Sequence, residues 1–276
     1  MNGLREIRAV DAVEELQQVE PLSPERARHY AELAAGYARG GERFVAVASH
    51  DPVLDTEDLY IPAHEFTSAG RELAEDLLAA GEADRVLLRV EAGSSLTPGE
   101  PFRRLVRYLV RTGRPSDTKP PQDVRIVPVD ERSTGFVKTL MRQAMLDGYH
   151  GAVGDPTAID SYLDRTVRFG GPDGLHGLVA EVAGRAIGHI TWTRPEPDDV
   201  TGRPFHDLVD VHVLPEFEKR TLTAALTRAM LDLLAGSGAG MRGNVIEGAG
   251  GEGDRLHAGL LRTGWTPLFA LWVAQS

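Results

Sequence analysis

The 276-residue sequence contains no cysteine. Disulfides, thiolate metal sites and cysteine nucleophiles are therefore excluded. The sequence also lacks any apolar run of about 18 residues, and its first residues lack the charged-then-apolar pattern of a signal peptide. Since 42% of the residues are hydrophobic and 26% are charged, the composition is that of a globular protein with an ordinary core. We expect a cytoplasmic monomer or homodimer without membrane contact.

Several motifs with well-understood chemistry are missing as well. No two histidines have H-x-x-x-H or H-E-x-x-H spacing, so we expect no metal site. The sequence has no G-x-S-x-G of a serine hydrolase, no G-x-x-x-x-G-K-[ST], and no G-x-G-x-x-G after a strand. Residues 248–253 (GAGGEG) are glycine-rich, but their acidic context is more typical of a turn than of a phosphate loop.

Positive charge is scarce, because the formal net charge is -11. This acidity argues against binding nucleic acid over the whole surface. One segment is locally basic, with these residues: Arg103, Arg104, Arg107, Arg111, Arg114 and Lys119. Leu105 and Leu109 recur there at helical spacing, which predicts a basic amphipathic helix over residues 101–112. Two interpretations stay open: a solvated face paired with acidic neighbours, or a face that binds the phosphates of RNA.

The chain divides near residue 120. Residues 113–123 are rich in proline and polar side chains and have neither helical nor strand periodicity, which is typical of a connection between domains. We predict one domain over residues 1–120 and a second over 121–276. Strand and helix patterns intermingle in both, and the second contains three successive antiparallel strands. The predicted fold class is therefore mixed α/β, with a mostly antiparallel sheet flanked by helices.

The two halves resemble each other in sequence. Residues 105–115 (LVRYLVRTGRP) align with residues 256–267 (LHAGLLRTGWTP). Residues 64–81 (HEFTSAGRELAEDLLAAG) also resemble residues 215–236 (PEFEKRTLTAALTRAMLDLLAG) in content. Because strand, helix, strand and helix recur in the same order, we favour a tandem of a degenerate first copy and a fuller second copy over chance similarity.

The stretches VLPEFEKRTLTAALTRAMLDLL and DRLHAGLLRTGWTP resemble the GCN5-related N-acetyltransferase (GNAT) superfamily over roughly residues 124–276. In that family a strand ending in V-x-P leads into a loop Q/R-x-x-G-x-G/A, whose backbone amides bind the pyrophosphate of acetyl-CoA. Here residues 218–223 (EKRTLT) occupy the loop, with threonine at both glycine sites. The resemblance implies an acyl-CoA co-substrate and these binding residues: Val211, Val213, Lys219, Arg220, Thr221, Leu222 and Thr223.

This loop departs from the family pattern in ways that have physical consequences. Thr221 and Thr223 add β-branched bulk where glycine would let the backbone approach a phosphate closely. Glu218 places a negative charge where an anion is expected. The start of the following helix still offers free N–H groups, and Lys219 and Arg220 partly offset the acid.

The strand FHDLVDVHV supplies the candidate catalytic groups. Acyl transfer to an amine needs a proton acceptor and donors for the developing oxyanion. Asp210 and His212 share one face by strand alternation. The resemblance places a base near Asp207 and carbonyl donors near Val211 and Val213. His189, on the preceding strand, faces the same cavity if the two strands pair antiparallel. The alternative is a half-buried strand with an ordinary polar face.

Three functions remain open at this point. The first is an N-acyltransferase that joins an acyl group from acyl-CoA to a small-molecule amine. The second is an amide-forming enzyme that uses aminoacyl-tRNA, since tandem GNAT-like folds include such enzymes and they need a basic patch. The third is a non-catalytic GNAT-like binding protein. It would account for Leu260, which stands where the family often has a tyrosine as general acid.

Overall fold

The computed structural model describes residues 5–19, 24–39, 41–62, 68–94, 97–111, 119–149, 153, 155–170, 174–217, 219–247 and 252–275. The strands are β1 (Arg5–Ile7), β2 (Ala34–Arg39), β3 (Glu42–Asp51), β4 (Thr56–Pro62), β5 (Arg85–Glu91), β6 (Arg103–Arg111), β7 (Val124–Pro128), β8 (His176–Val182), β9 (Arg185–Pro197), β10 (Pro204–Val213), β11 (Gly240–Ile246) and β12 (Thr266–Gln275). The helices are α1 (Ala9–Val19), α2 (Pro24–Leu33), α3 (Ser68–Ala79), α4 (Glu131–Gly148), α5 (Thr157–Thr166), α6 (Lys219–Leu234) and α7 (Glu252–Arg262).

The strands form one sheet in the order β1-β2-β3-β4-β5-β12-β6-β11-β10-β9-β8-β7. Strand β4 is parallel to β5, and β10 is parallel to β11. The other neighbouring strands pair antiparallel. This arrangement confirms the predicted mixed α/β class with a mostly antiparallel sheet.

The basic segment is a strand, so the prediction of a helix over residues 101–112 is wrong. Strand β6 lies between β11 and β12 in the middle of the sheet. Val106 and Leu109, which point to opposite faces of the strand, are both buried. A strand with two covered faces places apolar residues on both, and that pattern imitated helical spacing.

The two halves are copies of one unit, but part of the sequence alignment was wrong. Residues 105–111 lie in β6, whereas residues 256–262 lie in α7, so these segments are not equivalent. The second alignment agrees with the structure, because α3 joins the parallel strands β4 and β5 as α6 joins β10 and β11. The strands β6 and β12 end the two copies, and each pairs with the other copy.

A repeated ionic triad supports the duplication. In the first copy, Arg85 contacts Asp58, its partner on the parallel strand, and Asp51, at the end of β3 in the hairpin before β4, with Nη2 3.0 Å from Asp51 Oδ2. In the second copy, Arg242 contacts Asp207 in the same register, and its Nη1 lies 2.8 Å from Asp198 Oδ2.

Each hairpin that carries a triad packs into the opposite copy. Val53, between β3 and β4, is buried among residues of α4 and α5, including Val137 and Leu163. Val200, between β9 and β10, is buried in a cluster that contains Ala12 of α1 and Tyr30 of α2. The two copies therefore interlock through their hairpins as well as their last strands.

In the second copy, α6 covers one face of the sheet, and α4 and α5 pack against the other face. Leu222, Leu226 and Met230 of α6 pack with the sheet residues Leu178, Ile190 and Val213.

Within the part of the chain that is described, no helix has both the length and the apolar character needed to cross a membrane. The predicted domain boundary near residue 120 stays a prediction, and residues 112–118 of the connection lie outside the described ranges.

Candidate active site

The predicted catalytic side chains of β9 and β10 meet on one face. The strands are antiparallel, with His189 directly opposite His212 and Thr191 opposite Asp210. Opposite residues of an antiparallel pair point to the same side. His189 is also opposite Val179 of β8, which packs against α4 and α5. The imidazoles and the carboxylate therefore lie on the face that α4 covers.

His189 and Asp210 form a buried, unsatisfied pair. His189 is 0% exposed, and its Nε2 lies 3.0 Å from Asp210 Oδ2. The contact has the length of a hydrogen bond but not its direction, so both ring nitrogens and Asp210 Oδ2 lack a bonded partner among the described residues. Buried polar atoms are normally paired. Each such exception requires a physical reason, of which a catalytic role is one.

His212 is half-buried at the end of β10. Burial lowers the pKa of its imidazole from 6.5; the positive charge of Lys219 and the neighbouring His189 act in the same direction, while Asp210 and Asp147 oppose it. The ring is therefore mostly neutral at pH 7 and has a lone pair for a proton.

The backbone pairing between β10 and β11 stops beside this cluster, and we call the unpaired stretch between the two strands the cleft. Their parallel pairing covers only residues 205–207 against residues 240–242. Beyond it, β10 continues to Val213 against β9, and β11 continues to Ile246 against β6. No ladder joins residues 208–213 to residues 243–246, all of which are described. The backbone at Val211 and Val213, the predicted carbonyl donors, lies along this cleft.

Helix α6 begins at one end of the cleft. The Leu214 N–H donates to Ile187 O at 2.9 Å, which holds the end of β10 against β9. Of the predicted loop residues, Lys219 and Arg220 are exposed in the first turn of α6, Thr221 and Thr223 are half-buried, and Leu222 is buried in the core. Glu218 lies outside the described residues. The first amides of a helix have no partner within it, so this turn attracts anions.

Asp207 is held by an arginine. Its Oδ2 accepts a hydrogen bond from Arg242 Nη2 at 2.9 Å, and its Oδ1 contacts Arg242 Nε. Its backbone N–H donates to Thr193 Oγ1 at 2.9 Å. Both oxygens of this carboxylate are therefore occupied by the guanidinium. This geometry favours Asp210 and His212 over Asp207 for the chemistry.

The basic residues of β6 have acidic or polar neighbours. Arg104 Nε donates to Glu247 Oε1 at 2.8 Å, and Arg107 Nη2 donates to Asp254 Oδ1 at 2.9 Å. Arg103 Nη2 lies 3.5 Å from Gln275 Oε1. Burial lowers the pKa of Arg111. Lys119 is exposed, and Arg114 lies outside the described ranges. Binding of RNA by these residues stays a prediction.

Sequence reasoning missed a buried ionic chain beside the cleft. Arg89 and Asp198 are each 1% exposed and form two contacts of 3.1 Å through both Nη atoms. Arg89 in the apolar strand RVLLRV was the available signal, because a charge in a buried strand requires a partner. Its partner lies more than 100 residues away, which no local pattern reveals. Within the described ranges, no cluster of three or more His, Asp or Glu is arranged to hold a metal ion.

Comparison with known proteins gives the fold. No family model and no curated protein sequence matches the chain. Among solved structures, a GCN5-related N-acetyltransferase from Sphaerobacter thermophilus is 15% identical, with a TM-score of 0.57, over 99% of this chain and 95% of that one. A GCN5-related N-acetyltransferase from Kribbella flavida is 13% identical, with a TM-score of 0.52, over 97% and 95%. A conserved protein of unknown function from Staphylococcus epidermidis is 13% identical, with a TM-score of 0.54, over 87% and 94%.

Proposed function

From the premise that the chain has the fold of the GCN5-related N-acetyltransferases in two tandem copies, we propose that it is an N-acyltransferase. In this proposal the second copy transfers an acyl group from acyl-CoA to a small-molecule amine. The observation that carries the proposal is the cleft between β10 and β11, with His189, Asp210 and His212 beside it and α6 at its end.

The proposed donor site combines the cleft with the first turn of α6. An acyl-CoA supplies an activated carbonyl, the pyrophosphate carries negative charge, and the connecting arm is narrow. The exposed side chains of Lys219 and Arg220 and the positive end of the α6 dipole fit the anion. Unpaired backbone groups between residues 208 and 213 fit the arm and the carbonyl oxygen. Thr221 and Thr223 keep a phosphate farther from the backbone than glycines would, so we expect modest affinity.

His212 is the proposed general base. An amine must lose a proton as it attacks the carbonyl, and a half-buried neutral imidazole near the end of β10 accepts it. Asp210 stabilises the imidazolium that forms, because its carboxylate raises the pKa of His212. His189 lies beside this carboxylate, with its Nε2 3.0 Å from Asp210 Oδ2.

The aminoacyl-tRNA alternative receives less support. Its main argument was a helix with arginines on one face, and that segment is a central strand whose Arg104 and Arg107 already contact Glu247 and Asp254. Phosphates would have to displace these carboxylates. The acyl-CoA donor therefore fits the described residues better.

Calorimetric titration tests the proposed donor. Acetyl-CoA and CoA should bind with a dissociation constant in roughly the micromolar range. The double variant Lys219→Glu/Arg220→Glu should weaken binding at least about tenfold, because each reversed charge faces the pyrophosphate. The matched control Arg165→Glu/Arg168→Glu changes the same charge in an exposed part of the same copy and should leave binding unchanged. The absence of heat with either ligand at high concentration would overturn the proposal for acyl-CoA.

A further inference from the structure

The two triads differ in one respect that connects the copies. Arg89 stands four residues after Arg85, and the equivalent position after Arg242 is Ile246, which is 46% exposed. The first copy therefore has an additional buried arginine. Arg89 contacts Asp198 of the opposite copy, while the triad of Arg85, Asp58 and Asp51 stays within its own copy.

Arg89 completes a chain of alternating charges that ends at β10. In order of contact, this chain of charges contains Glu91, Arg89, Asp198, Arg242 and Asp207. The Nε of Arg89 lies 2.6 Å from Glu91 Oε1, and its guanidinium lies 3.8 Å from the ring centre of Phe269. Asp198 lies between both arginines and also accepts the Thr201 N–H at 2.9 Å. The Thr201 hydroxyl also donates to Asp198 Oδ1 at 2.9 Å, so the two arginines and the hairpin itself hold this carboxylate together.

The charges in this chain persist despite burial. Burial opposes the charge of Arg89, but Tyr60, Asp198 and Glu91 outweigh it and raise the pKa of the guanidinium. Burial also opposes the charge of Asp198, and Arg89 with the Thr201 hydrogen bonds lowers the pKa of that carboxyl. Loss of Arg89 would remove one of the two guanidinium contacts of a buried carboxylate, and we expect Asp198 and its contact with Arg242 to shift in response.

The chain of alternating charges ends at Asp207, where the cleft begins. Asp207 and Arg242 form the last pair of the parallel ladder between β10 and β11. The register of β10 against β9 shifts on both sides of Leu208, between His206 and Leu208 and between Leu208 and Asp210. An irregular segment of this kind sets the direction of the side chains that follow it. Asp210 and His212 follow within five residues of Asp207.

We propose that Arg89 is a positioning residue through which the first copy fixes the active site of the second. It holds Asp198, Asp198 holds Arg242, and Arg242 holds Asp207 at the point where β10 leaves β11. The catalytic part of this statement rests on the proposed acyltransferase function. The positioning part concerns only the place of His212 and is measurable without any substrate.

The test compares Arg89→Met with Arg85→Met in the full-length chain. Arg85 is a matched control, because it is also a largely buried arginine with two carboxylate partners, and neither of these partners lies on β9 or β10. The reading is the imidazole resonance of His212 in a proton–carbon correlation spectrum, assigned with His212→Gln, together with kcat. Arg89→Met should move the resonance and lower kcat on the order of 10- to 100-fold, as a small misplacement does. Arg85→Met should leave both unchanged.

The proposal is overturned if Arg89→Met leaves the His212 resonance in place, or if Arg85→Met moves it as much. If Arg89→Met does not fold, Arg89→Lys is compared with Arg85→Lys by the same readings, since lysine keeps the charge and loses the two-pronged contact. If the wild-type chain transfers no acyl group, the proposed function fails, and the His212 resonance alone decides the role of Arg89.

Discussion

At the scale of single residues, the chemistry of the site depends on how burial and charge balance at His212. Burial, Lys219 and His189 lower the pKa of the imidazole, while Asp210 and Asp147 raise it. Strand alternation predicted that Asp210 and His212 share a face, and antiparallel pairing brought His189 to them. The engagement of Asp207 by Arg242 was beyond prediction, because it depends on the register between two strands that are far apart in sequence.

The first prediction concerns the pH dependence of turnover. A general base must be neutral, and the folded pKa of His212 is below its ordinary value of 6.5. The acidic limb of a kcat/KM profile, which reports the free enzyme, should therefore fall through a midpoint below pH 6.5 rather than above it. His212→Gln should lose this limb and lower kcat by about 100-fold or more. An unchanged limb in the variant would assign the titration to another group.

The second prediction isolates the charge of Asp210. Its carboxylate raises the pKa of His212, so Asp210→Asn should lower that pKa further. Titration of the His212 resonance by NMR measures the change directly. Asp232→Asn, an exposed change on α6, is the control and should leave the titration unchanged. A rise of the His212 pKa in Asp210→Asn would contradict the geometry described for the site.

At the scale of elements, the predictions for α3 and α6 were correct, and the prediction for β6, which pairs with strands of the second copy, was wrong. The helices α3 and α6 and their flanking strands were predictable, since one face of each is apolar and the turns are marked by proline and glycine. β6 was not, because its central place in the sheet covers both faces and erases the period of two. Residues 34–39 (AAGYAR), which form β2, have little strand character and pair only in the folded chain, so no local pattern indicates this strand.

The third prediction tests the position of β6, a strand of the first copy, in the core of the second copy. Leu109 belongs to the first copy in sequence, yet it is 0% exposed in the core that Met230 and Trp265 of the second copy form. Leu109→Ala should lower the free energy of unfolding by about 2–5 kcal/mol, as large-to-small changes in a core do. Leu233→Ala, at a position that is 64% exposed, should cost less than about 0.5 kcal/mol. Urea unfolding of both variants measures the difference, and equal stabilities would contradict the position of β6.

At the scale of the whole molecule, the two copies depend on each other. The last strand of each copy pairs with strands of the other copy. A hairpin of each copy also packs among the helices of the other. Sequence similarity predicted two copies but not this interlocking, because exchange of strands leaves the local pattern of each strand unchanged. The boundary near residue 120 stays a prediction, and the buried clusters on either side of it contain residues of both copies.

The fourth prediction follows from the interlocking. Fragments 1–120 and 121–276, expressed separately, should not show cooperative unfolding, because each lacks the strand that completes its part of the sheet. Mixed together, they should gain secondary structure and elute as one species from a sizing column. Circular dichroism before and after mixing provides the measurement. A fragment that unfolds cooperatively by itself would show that the exchanged strand is dispensable.

The central claim is that the second copy transfers an acyl group from CoA to an amine beside His212. The most direct measurement is the release of free CoA thiol from acetyl-CoA with a panel of primary amines, for the wild-type chain and His212→Gln. We predict amine-dependent thiol release that the variant reduces by about 100-fold or more, while its affinity for acetyl-CoA stays the same. Thiol release with no amine dependence, or equal rates in the two proteins, would contradict the claim.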